Sequence, residues 1–146
     1  MALSVIGLPA APASAQPAEA APEAATACTE FARALDLASV SYSDFANALA
    51  LGEVRPNYAD PIVSSSNTYG RTGLREAVSV ALGASRTPGL APQIAAPMRS
   101  WALGATKLIV LMGLRVDVDR FNDNATRINA DTEAVQKACA EAGTRA

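Results

Sequence analysis

The chain has 146 residues, enough for one domain with a real core, and a formal net charge of −2 with no run of basic residues. Without a clustered positive footprint, nucleic-acid binding is excluded, and so is a basic amphipathic helix for anionic membranes. Half the residues are hydrophobic, but only seven are aromatic and 33 are alanine, which favours closely packed helices over a sheet.

Residues 1–15 read as the remnant of a secretory signal peptide. Ala2 to Leu8 form a short apolar stretch, and Ala13-Ser14-Ala15 is a small-x-small cleavage pattern, although a charged n-region is missing. Residues 16–26, QPAEAAPEAAT, show no apolar periodicity and are expected to be a disordered Pro/Ala-rich linker. The helical domain is then expected over 27–143.

The first predicted helix covers 27–51, with Gly52 as its stop. Cys28, Phe31, Leu35, Ala38, Tyr42, Phe45 and Leu49 are spaced alternately three and four apart, the stripe of a helix packed at a shallow angle on its neighbours. The second predicted helix covers 73–84, on the face made by Leu74, Ala77, Val78, Ala81 and Leu82. Asp60-Pro61 offers an earlier start, an N-cap followed by proline at the first position, but Ser64-Ser65-Ser66-Asn67, Gly70 and Gly73 are poor helix-interior residues. Both starts remain open at this stage. Arg86-Thr87-Pro88-Gly89 is a turn.

The third helix runs from Pro92 or Pro97 to Leu114. Its stretch from Trp101 to Leu114 is apolar nearly all round, but Arg99, Lys107 and Arg115 make it too short and too charged for a transmembrane span. A buried central helix is expected. The fourth helix covers 118–142, capped by Asp117 and ended by Gly143, and its stripe of Val118, Phe121, Ala125, Ile128, Thr132, Val135 and Cys139 repeats the alternation of the first.

Four helices with short links predict an all-α, up-down-up-down four-helix bundle. In that topology the fourth helix ends where the first begins. Cys28 opens one stripe and Cys139 closes the other, so a disulfide joining the first and last helices is expected. In the chain-entropy picture it stabilises the fold by about 4–5 kcal/mol. An even cysteine count suits an oxidising compartment.

Candidate chemistry is sparse. With no histidine in the chain, serine and cysteine nucleophile systems of the usual kind are excluded, and the commonest zinc ligand is absent. The two cysteines form no Cys-x-x-Cys pair. Asp36, Asp44, Glu53, Asp60 and Glu76 could supply an acid and base for a carboxylate-based hydrolase, but they read better as solvated helix faces. Asp117, Asp119 and Asp123 lack the turn glycine and closing glutamate of a calcium loop and read as cap and first-turn charges. Tyr42, Tyr58 and Tyr69 could in principle ligate haem iron, but no cofactor and no metal site are expected.

The combination of Ala13-Ser14-Ala15, the 16–26 linker, Cys28 and Cys139 resembles small exported helical proteins of actinobacteria, of the mycobacterial type. The resemblance implies location in the cell envelope, periplasm or extracellular medium rather than an activity.

The expected function is therefore that of an exported, non-enzymatic binding or accessory protein, acting through an apolar helical surface on a protein partner, a copy of itself or an apolar ligand. Trp101, Leu103, Val110, Leu111 and Leu114 are the candidates for an exposed patch. The alternative is a carrier of a small apolar ligand in a bundle cavity, with Trp101, Met98, Met112 and Tyr69 as candidate lining.

Overall fold

A computed structural model describes residues 19–50 and 55–146. The expected signal remnant, residues 1–15, lies outside the described residues, as do Gly52 and Glu53. Four helices follow in order: α1 (Pro22–Leu49), α2 (Pro61–Ser85), α3 (Pro92–Leu114) and α4 (Val118–Glu141). Each packs against the next, and α4 returns to α1, closing an all-α four-helix bundle. Cys28 and Cys139 are joined by a disulfide, with Cα atoms 6.1 Å apart.

Helix α1 starts earlier than expected. Residues 22–26, placed in a disordered linker by composition, form its first turn. Pro22 occupies a position where a missing N–H costs nothing, and Ala24 and Ala27 are buried in one apolar cluster with Ala84 and Ile94. Packing of small residues thus orders a segment that lacks large apolar ones.

Helix α2 takes the earlier of its two possible starts. The Asp60 carboxylate accepts from the Ile62 N–H at 2.8 Å and caps it. Its poor helix formers are accommodated by specific contacts. The hydroxyls of Ser65, Ser66, Thr68 and Thr72 donate to carbonyls of their own helix. Buried Asn67 donates to the Met112 carbonyl at 3.1 Å, at the end of α3. Gly70 and Gly73 lie against Ser41 of α1: a Cβ on Gly70 would be 3.2 Å from the Ser41 carbonyl oxygen, and one on Gly73 would overlap the Ser41 side chain. Tertiary contact here overrides local propensity.

Both expected ends of α4 hold. Asp117 accepts from the Arg120 N–H at 3.1 Å and starts α4. At its end, Thr144 N–H bonds the Cys139 carbonyl and Gly143 N–H the Ala140 carbonyl, with Gly143 at φ 82°, a Schellman closure. The same closure ends α3, but Arg115, at φ 53°, stands in the position usually held by glycine. Its guanidinium lies 4.6 Å from the centre of the Tyr58 ring, a cation–π contact that offsets part of the backbone strain.

The core has two parts. One, around the disulfide, contains Phe31, Trp101, Met98 and Val135, with the Phe31 and Trp101 rings edge to face at 5.3 Å. The other contains Phe45, Leu74, Leu108, Met112 and Phe121, with Phe45 and Phe121 edge to face at 5.5 Å.

Candidate binding surfaces

Helix α3 is central and apolar as expected, and of its five candidates for an exposed patch three face outward. A helix in a four-membered bundle keeps one face outward, and Leu103, Val110 and Leu114 occupy it with 71%, 53% and 70% of their surface exposed. Their spacing of seven and four puts them in one line along the helix. Trp101 and Leu111, the other candidates for this patch, are buried in the core. Lys107 interrupts the line, and among the described residues it takes part in no ion pair.

The cavity candidates also separate. Met98 and Met112 are fully buried and fill the two cores, so they line nothing open. Tyr69 is exposed on α2, beside a shallow cleft between the end of α1 and the start of α2. Only Trp101 of the four borders a groove enclosed by several helices.

That groove lies between α1 and α4, with a volume of about 210 Å³. Leu35, Ala38 and Tyr42 form one wall, Ala125, Ile128 and Thr132 the other. Leu74, Trp101, Ala105 and Leu108 form the floor. These wall residues are the middle of the two stripes that the sequence marks as packing faces. The stripe ends are closed by the disulfide and by the Phe45–Phe121 contact, where the side chains are buried, whereas the middle is only half-buried. Alanine stands on both walls, at 38 and 125, and is too small to close the gap. The indole N–H of Trp101 is buried and meets no acceptor among the described residues.

Burial pushes the Tyr42 phenol up to about 12, helped by the neighbouring Tyr58. Burial also raises Tyr58; Arg115, the Asn67 hydrogen bond and Arg71 partly counter it.

The candidate carboxylates are scattered. Asp44 and Asp60 border the same shallow cleft, but Asp60 is engaged as the cap of α2. Asp36 and Glu76 are exposed on helix faces. Asp119 and Asp123 belong to the first turns of α4.

The groove walls were missed as a site because an apolar stripe reads as core. The available signal was size. With the stripes laid antiparallel from the disulfide, Ala38 and Ala125 fall in the middle and the phenylalanines near the ends.

Among the described residues, no helix is long and apolar enough to cross a membrane. No curated protein and no solved structure matches the chain. Residues 10–140 match the Rv2240c four-helix bundle domain, a family with a mycobacterial name, which agrees with the resemblance to mycobacterial-type helical proteins. With so much of its length matched, the chain belongs to the family of the Rv2240c four-helix bundle domain.

Proposed function

We propose that the protein is an exported, non-enzymatic binding or accessory protein of the cell envelope or extracellular medium, and that it holds a protein partner on the outer face of α3. The observation that carries this reading is the line of Leu103, Val110 and Leu114, three large apolar side chains exposed along one helix. Isolated exposed leucines are ordinary, but three in register make a ridge. Covering each would contribute up to about 1.5–3 kcal/mol, enough together to anchor a partner. The Cys28–Cys139 disulfide and the Ala13-Ser14-Ala15 pattern support export. The lack of histidine, and the engagement of Asp60 as a helix cap, weigh against catalysis.

A photo-crosslinking side chain placed at Leu103 or Val110 tests this in cells that make the protein. A discrete adduct is expected in the envelope or medium fraction, and none from the same group at exposed Gln136 on α4. Equal labelling at Gln136 would refute the α3 surface, and recovery of the protein only from the cytosol would refute export. An adduct of twice the chain mass would identify the partner as a second copy.

A further inference from the structure

We infer that the groove between α1 and α4 is a binding site for a compact, neutral, mostly apolar molecule carrying one hydrogen-bond acceptor, such as a ketone, ester or ether. This site is separate from the α3 ridge, and its occupancy does not depend on the function proposed for that ridge.

Three observations carry the inference. The first is that the groove is held open. The disulfide clamps one end and the Phe45–Phe121 contact the other, while Ala38 and Ala125 leave the middle unfilled. From Leu35 to Tyr42 the wall spans about 10 Å of helix. The second is size and charge. At about 210 Å³ the groove is smaller than the ~300–1,000 Å³ of drug-sized pockets, so a single ring or a short branched chain fits. None of its lining residues carries a charged group, so an ion would enter unpaired at a high desolvation cost. The third is the floor. Trp101 is only 1% exposed, and its N–H has no partner among the described residues. A buried donor without an acceptor is uncommon and unfavourable, and a ligand oxygen would satisfy it.

Trp101 is the protein's single tryptophan, so the indole N–H gives one resolved resonance in a nitrogen-15 correlation spectrum. The test titrates the intact, oxidised chain with acetophenone, with ethylbenzene as the analogue lacking an acceptor and with benzoate as the charged one. Acetophenone should shift the indole resonance saturably and raise the melting temperature. Ethylbenzene should bind roughly 3- to 10-fold more weakly, and benzoate should give no saturable shift. Ala125→Leu, which fills the groove from one wall, should abolish binding while the rest of the spectrum stays folded; Ala38→Leu serves from the other wall if the first variant does not fold. No saturable shift with acetophenone or ethylbenzene would overturn the site. Unchanged acetophenone binding by a folded wall variant would do the same, and equal affinity for acetophenone and ethylbenzene would overturn the role of the indole.

Discussion

Helix α1 has two seams, and they are built in opposite ways. Toward α2, the backbones come so close at Ser41 that Gly70 and Gly73 have no room for a side chain. Toward α4, the disulfide holds the helices at one end and the Phe45–Phe121 contact at the other, and alanines leave the middle open. Apolar periodicity determines which faces meet. Side-chain size determines whether they close, and small residues act in both directions. Glycine at a crossing lets backbones touch, whereas alanine between two clamped points leaves a gap because the helices cannot move in to fill it.

The largest test of this contrast is removal of the α1–α4 clamp. Replacing both cysteines (Cys28→Ser with Cys139→Ser) should lower unfolding stability by about 4–5 kcal/mol in a denaturant titration, since the bridge spans 111 residues. Hydrogen exchange should then show the loss of protection concentrated in α4, with amides near Gly70 and Leu74 nearly unchanged relative to global stability. Equal losses on both sides would mean that the seams are not independent.

The next effect comes from the closed seam. Gly73→Ala should cost about 1–3 kcal/mol, because the new methyl must displace Ser41 or part the helices. Gly83→Ala, on the exposed side of the same helix with nothing within 4 Å, should stabilise by about 0.5–1 kcal/mol through helix propensity alone. Thermal or denaturant melts of the two variants check it. Changes of the same sign would break the argument from close approach.

These cases also show where sequence reasoning succeeds and where it fails. The stripes of α1 and α4, the Asp117 cap, the Gly143 stop and the disulfide are legible because each depends on local chemistry or on a simple topological demand. The beginnings of α1 and α2 are not. Residues 22–26 look disordered by composition but bury Ala24, and Ser64 to Gly73 look helix-breaking until Ser41 and Met112 are placed beside them. For α3, apolarity nearly all round offered five candidates for an exposed patch without separating them: Leu103, Val110 and Leu114 face outward, whereas Trp101 and Leu111 are buried. Periodicity cannot distinguish a face covered by a neighbour from one that is left bare.

The open seam predicts a smaller effect of opposite direction. Ala125→Leu adds apolar volume where space exists and should stabilise the free protein by about 0.5–1 kcal/mol. The same enlargement at Ala34, which is fully buried, should destabilise by about 1–3 kcal/mol. Matching losses at both positions, measured by chemical denaturation, would mean that the groove closes in solution.

The smallest effect is absent at neutral pH and concerns Tyr42, on the groove wall. Its phenol holds a proton up to about pH 12 in the fold, because burial disfavours the phenolate, while in the unfolded chain it releases it near the ordinary 10.0. Below about pH 10 both states keep the proton and this group adds no pH dependence. Between about pH 10 and about pH 12 the unfolded state alone ionises, so folding stability falls as pH rises through that window. Tyr42→Phe removes the titrating group but keeps a ring to pack against Phe45, whose centre lies 5.9 Å away. The variant should therefore lose less stability than the parent between those pH values, with Tyr58 titrating in both as a common background. Parallel pH profiles would show Tyr42 already in contact with water, which would make this end of the groove a mouth rather than a wall.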